Sequence, residues 1–108
     1  MPATSNYAAA FNALGDPTRR AIFEKLRPGP LSVVAIAEGM PVSRPAVSQH
    51  LKVLREARLI SMHQKGTRNF CQIDTHGVLA MRNYLDNFWN VALDAFKLVA
   101  EKENKKQK

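Results

Sequence analysis

Residues 43–58 read SRPAVSQHLKVLREAR. Ser43 can offer its side-chain oxygen to the free N–H groups of a helix start, and a proline is tolerated within the first turn. Val47, Leu51 and Leu54 then recur at i, i+4 and i+7, a single stripe on a 3.6-residue period. On the same wheel Pro45, Gln49, Lys52 and Glu56 point the opposite way, with Ser48 on the flank. The stretch therefore predicts an amphipathic helix from a Ser43 cap through Arg58. Just upstream, Ser32 predicts the cap of a helix whose inner face is Val33, Ile36, Ala37 and Met40. Pro41 disfavours a helical conformation at Met40, so the chain turns there. A helix, a tight turn and a second helix with a polar outer face is the organisation of a helix-turn-helix.

Working outward, Tyr7, Ala10, Phe11 and Leu14 share one face of a first helix that Gly15 stops. Asp16 then stands at an N-cap and Pro17 at the first helical position. The second helix buries Ile22, Phe23 and Leu26 and ends at Pro28-Gly29-Pro30. Downstream, two short runs, Leu59 to Gln64 and Asn69 to Ile73, flank Lys65-Gly66-Thr67-Arg68. A Gly-X pair between such runs predicts a two-stranded ribbon with a type II′ turn. Its tip carries Lys65 and Arg68.

The segment from His76 to about Lys102 contains no proline. Val78, Met81, Leu85, Phe88, Ala92, Ala95 and Val99 alternate at spacings of three and four, a heptad seam. Tyr84, Trp89, Leu93 and Phe96 widen it into a second apolar stripe. A helix of this length runs roughly 40 Å, whereas a globule of this size has a radius of gyration of ~13 Å. One protomer cannot cover both stripes, so a second subunit is expected.

The chain has 108 residues, room for one domain, expected over residues 1–102, with a basic, disordered tail over 103–108. Hydrophobic residues make up 45% and charged residues 23%, which excludes wholesale disorder. No apolar run reaches a membrane span, and Met1 to Ala10 lacks the pattern of a secretory signal. A single cysteine, Cys71, fits a reducing cytoplasm and reads as a small core residue. The net charge is +7, and it is concentrated: from Pro41 to Phe70 there are six basic residues and one acid. A basic stripe of this kind favours a polyanionic partner.

Catalytic constellations are missing. There is no Gly-rich phosphate loop, no Gly-x-Ser-x-Gly elbow and no His-Glu-x-x-His helix. His50, His63 and His76 are scattered, and His50 reads as a partly buried side chain at the edge of the apolar stripe. No enzyme activity is expected. The polar face of residues 43–58 suits the major groove instead, where Gln49 can bond an adenine edge and Ser48 several bases. Arg44 and Lys52 are placed for phosphates, and Lys65 and Arg68 for the backbone or an adjacent minor groove.

The stretch from Val42 to Ile60, VSRPAVSQHLKVLREARLI, resembles the signature of the ArsR family of bacterial winged helix-turn-helix regulators, as does ALGDPTRRAI over Ala13 to Ile22. The resemblance covers about Tyr7 to Lys102. Two positions depart from the family pattern: Pro41, where many members have a turn glycine, and Arg58, where a glycine usually precedes the wing. The resemblance implies a mainly α (α+β) winged helix-turn-helix fold of five helices with a two-stranded β-wing. It implies a homodimer through the first and last helices, with Tyr7, Phe11, Leu85, Phe88, Trp89, Ala92 and Phe96 at the interface. The DNA-binding set becomes Ser43, Arg44, Pro45, Ser48, Gln49, Lys52, Lys65 and Arg68.

The family's metal sensors supply two tests. The cysteine-containing motif of the arsenic, cadmium and lead sensors has no counterpart, since Leu31 to Ala37 holds no cysteine. Of the zinc-type site in the last helix, Asp74 and His76 match the first half, but Asn87 and Asn90 stand at the second, and amides are poor zinc ligands. Neither a metal nor a cofactor is expected, and Asp74 reads as a helix cap. The expected function is a homodimeric, sequence-specific repressor of transcription. Its partners would be double-stranded DNA, a second copy of the chain and an inducer of unspecified chemistry, with no membrane. The alternative is an interaction module that turns its basic face to an acidic protein.

Overall fold

A computed structural model describes residues 4–106, and the side chains of residues 7–103. Five helices and a small sheet follow in the order α1 (Thr4–Leu14), α2 (Pro17–Lys25), β1 (Leu31–Ser32), α3 (Val33–Glu38), α4 (Arg44–Glu56), β2 (Ile60–Lys65), β3 (Arg68–Ile73) and α5 (Thr75–Lys106). Three caps fall where the side chains predict them. Asp16 accepts from the Arg19 N–H at 2.9 Å, Ser32 from Ala35 at 3.1 Å and Ser43 from Ala46 at 3.3 Å. Each satisfies one of the orphan donors of its helix start.

The core sits where α1 to α4 meet the base of the sheet. It is built from Ala10, Ala13, Ile22, Leu26, Ile36, Val47, Leu51, Leu54, Leu59, Ile60 and Cys71, all buried. Val33, Ala37 and Met40 of the third inner face, and Phe23 of the second, pack on it while partly exposed. Cys71 is fully enclosed with its Sγ 2.9 Å from the Met62 Sδ, and burial pushes its thiol up to about 11. It is protonated at neutral pH and serves as core.

The wing is the β2–β3 hairpin, in register Ile60↔Ile73 through Lys65↔Arg68. Gly66 alone of the two turn residues has positive φ, at +66°, the pattern of a type II′ turn. The sheet differs from the expected two-stranded ribbon by one short strand: Leu31 pairs with Cys71 and Ser32 with Phe70, giving the order β1-β3-β2. Two residues are too few to show a period. The reason lies in the cap, since Ser32 holds the extended φ/ψ of an N-cap (−68°, 153°) and so serves both helix and strand.

The fourth helix stops at Glu56, two residues before the expected Arg58. Arg58 takes the left-handed conformation, φ 59°, with its N–H donating to the Arg55 carbonyl and Leu59 N–H to that of Leu54. These two bonds make a Schellman cap, with arginine at the position that glycine favours. The Leu59 carbonyl then accepts from Asp74 N–H at 2.9 Å and the Arg58 carbonyl from Gly77 N–H at 2.8 Å. The start of α5 is thus bonded to the end of α4 through backbone alone. Gly77 is required there, because a Cβ would stand 2.8 Å from both the Ala57 and Arg58 carbonyl oxygens.

From this joint α5 runs past the domain, extending the molecule to 72 × 31 × 21 Å. It begins one residue before the expected His76 and continues to Lys106, four beyond the expected Lys102. Its first half packs on α1. Tyr7 stacks on Tyr84 at 4.3 Å between ring centroids, Phe11 meets Tyr84 edge-on at 5.7 Å, and Tyr84 meets Phe88 at 6.3 Å. No described helix is long and apolar enough to cross a membrane.

Candidate nucleic-acid interface

The apolar stripe of α4 is turned fully inward, with Val47 and Leu54 at 0% and Leu51 at 5% exposure. Its opposite side is therefore the side shown to solvent. Ser43, Arg44, Pro45, Ser48, Gln49 and Lys52 are all exposed along it, starting at the helix N-terminus, whose dipole and free N–H groups favour anions. Lys65 and Arg68 face each other across the end of the hairpin, both exposed.

Some of these residues converge and others do not. A cleft of about 380 Å³ opens between α4, the start of α3 and the wing. Arg44, Ser48, Lys52 and Arg68 line it, together with Arg55, Thr67 and Asn69 and the apolar side chains of Val33, Leu51 and Met62. Ser43, Pro45, Gln49 and Lys65 lie outside it on the open surface. Arg55 was not among the expected contacts, yet Arg44, Ser48 and Arg55 fall at i, i+4 and i+11, on one flank of the helix. That spacing was visible in the sequence.

Among the described residues no acid forms an ion pair with these cations. Among the described residues the ion pairs lie elsewhere, at Asp16–His50, Asp74–His76 and Arg82–Asp86. His50 is half-buried, its Nδ1 4.0 Å from the Asp16 carboxylate, at the edge of the α4 stripe as expected. The Arg19 N–H bond, more than the nearby charges, holds the Asp16 carboxyl below its ordinary value.

Asp74 and His76 are engaged with each other. The Asp74 carboxylate accepts from the His76 backbone N–H at 3.0 Å, a cap on the second residue of α5, and lies 2.6 Å from its ring Nδ1. The backbone bond is the main reason that the Asp74 carboxyl is also depressed. Asn87 and Asn90 are exposed further along α5. Among the described residues no three histidine, cysteine, aspartate or glutamate side chains cluster as a metal site would need.

The second surface is apolar. Leu85, Phe88, Trp89, Ala92 and Phe96 lie exposed on α5, Phe88 at 66%, Trp89 at 62% and Phe96 at 71%. Phe11 is half open beside them, and Tyr7 is half-buried against Tyr84.

A family profile described as a helix-turn-helix domain matches residues 14–63, which spans α2, α3, α4 and the start of the first wing strand. The chain is 51% identical over 94 residues to the HTH-type transcriptional regulator Rv2034 of Mycobacterium tuberculosis, covering 87% of this chain and 88% of that one. The chain belongs to the ArsR family of winged helix-turn-helix transcriptional regulators. The transcriptional repressor SdpR of Bacillus subtilis is 38% identical over 80 residues, covering 74% of this ArsR-family chain and 89% of its own. Among solved structures, an ArsR-like regulator from Rhodococcus sp. RHA1 superposes with a TM-score of 0.74 at 27% identity, covering 89% of this chain and 93% of that one. The homodimeric winged helix-turn-helix DNA-binding domain Mb0332 of Mycobacterium bovis gives 0.63 at 27% identity, covering 83% and 80%. Within the family's fold, α3 and α4 form the helix-turn-helix and β2–β3 the wing. These relatives are named as transcriptional regulators.

Proposed function

We propose that the chain is a cytoplasmic, homodimeric repressor that reads a palindromic operator with α4 and the basic wing. The observation that carries this reading is the exposed polar face that runs from the α4 N-terminus to Lys65 and Arg68, whose cations form no ion pair among the described residues. In it Gln49 and Ser48 read base edges, while Arg44, Lys52, Lys65 and Arg68 hold phosphates. Dimerisation is supported by the open aromatic surface of α5 and by the homodimeric state of the Mycobacterium bovis domain. Repression is supported by the activity named for the Bacillus relative, and requires only that the bound dimer occupy a promoter. Two copies of α4 about one DNA turn apart would read two half-sites.

Footprinting on genomic DNA, followed by titration of the protected site at graded salt, tests the reading. Affinity is expected to fall with salt at a log–log slope of about −0.9 per phosphate neutralised. Lys65→Ala with Arg68→Ala flattens that slope and leaves sequence preference in place. Gln49→Ala costs about 1–3 kcal/mol on the operator and little on random DNA. An unchanged slope in the wing variant removes the wing from the interface, and equal weakening on both DNAs removes Gln49 from base reading.

A further inference from the structure

Two features of the cleft between α4 and the wing are not accounted for by DNA. One is its apolar lining. Val33, Val34, Leu51 and Met62 line it beside the cationic residues, and Val34 is 47% exposed. A duplex is convex and rigid on this scale, so it can bridge the rim of a concave site without filling the bottom. The other is Arg55, which lies in the last turn of α4, far from the helix N-terminus that enters a major groove. It is exposed and unpaired among the described residues, and it faces the cleft together with Arg44, Lys52 and Arg68. A volume of about 380 Å³, an apolar lining and a few convergent charged groups are the marks of a small-molecule site.

We propose that this cleft binds a small amphipathic organic anion, a carboxylate, sulfonate or phosphate on an apolar body, and that the anion excludes DNA by occupying the same cations. The anionic group lies among Arg44, Arg55 and Arg68, and the apolar body rests on Met62 and Val34. Because Arg44, Lys52 and Arg68 also serve the proposed phosphate contacts, bound ligand and bound operator compete directly, with no conformational relay between two sites. The competition rests on the DNA-binding reading above; the binding of the anion does not.

The test uses naphthalene-2-sulfonate as probe and 2-naphthalenemethanol as its neutral counterpart, with the 108-residue chain labelled at its methionine methyls. The sulfonate is expected to shift the Met62 methyl resonance saturably and leave Met81, on α5, in place. The alcohol should bind about tenfold or more weakly, because it lacks a charge-assisted bond. Arg55→Ala with Arg68→Ala should weaken the sulfonate by a similar factor. Val34→Trp, a substitution at an exposed helix position that lines the cleft, should block it by filling the space while every cation remains. With labelled operator, the sulfonate should displace DNA at concentrations where inorganic sulfate of matched ionic strength does not.

An unmoved Met62, equal binding of sulfonate and alcohol, or shifts confined to α5 would overturn the proposal. If the probe binds at Met62 and the chain binds no DNA, the cleft stands and the repressor reading falls. If operator is bound tightly and no anion enters the cleft, the repressor reading stands and this one falls.

Discussion

Helices α4 and α5 carry the same kind of apolar stripe and meet opposite fates. The α4 stripe is closed: Val47, Leu51 and Leu54 are covered by α1, α2, α3 and the sheet, and only its polar side is shown. The α5 stripe is only partly covered along its start, where α1 lies on it and Met81 is half-buried, and from Leu85 to Val99 its large side chains are open. Periodicity identifies an apolar face in both helices. What covers that face is a matter of neighbours, and α5 outruns the neighbours that its own chain provides. One helix therefore completes a fold, and the other is left to complete an assembly.

The largest expected effects separate these two fates. Leu54→Ala should cost about 2–5 kcal/mol, a loss independent of protein concentration because the side chain is packed within one chain. Phe88→Ala should cost about 3–5 kcal/mol for each copy in a dimer, and almost nothing in an isolated protomer, where the ring is largely in water. Sedimentation and thermal melts across a range of concentrations distinguish the two. A wild-type chain that stays monomeric at tens of micromolar, on the order of a weak association, would leave the α5 stripe without its expected cover.

The closed side also has an alkaline limit. The Cys71 thiol, raised from 9.0 to about 11 by burial, keeps its proton in the fold after an exposed thiol has lost it. Its stabilising contribution is complete below pH 9 and is lost as pH rises through about 11, with a ceiling of about 3 kcal/mol. Denaturant melts between pH 8 and 11, run beside Cys71→Ala, should show the alkaline slope shrink in the variant; a slope identical in both would place the thiol in contact with water.

Two smaller effects lie at the joint where the helices meet. Gly77→Ala should cost about 1–3 kcal/mol, since its methyl group meets two backbone carbonyls that cannot step aside without parting α5 from α4. Arg58→Gly should stabilise the fold by less than about 1 kcal/mol, as relief of left-handed strain is offset by greater freedom of the unfolded chain. Chemical melts measure both. A neutral Gly77→Ala would mean that the joint is loose, and a destabilised Arg58→Gly would mean that the arginine side chain holds something the backbone does not.

How much of this was legible in the sequence follows from how local each determinant is. The α4 helix, its Ser43 cap, its inward stripe and its outward polar face all depend on residues within four positions of each other, and all were readable. So were the Asp16, Ser32 and Asp74 caps and the Gly66 turn. The β1 strand was not, because a two-residue pairing with Phe70 and Cys71 has no period to detect. The left-handed turn at Arg58 was hidden because arginine gives no signal for it, although the departure from glycine there marked the position. Arg55 was not legible as a cleft residue for a different reason: it lies on the flank of α4, not on the face opposite the buried stripe, and only the folded wing brings that flank into a cleft. Of the interface on α5, the aromatic residues were readable and their cover was not, because a partner leaves no period in the chain that lacks it.

The backbone joint between Arg58 and Gly77 also makes α5 a lever. A helix of 32 residues is about 48 Å long at the usual rise. A tilt of about 5° where it leaves α4 moves its far end by roughly 4 Å over that length. In the proposed dimer the far ends are held together, so the same tilt appears instead as a change in the distance between the two recognition helices. The spacing of half-sites that such a dimer would accept then depends on the angle at which two carbonyls receive two N–H groups, as well as on the residues touching DNA.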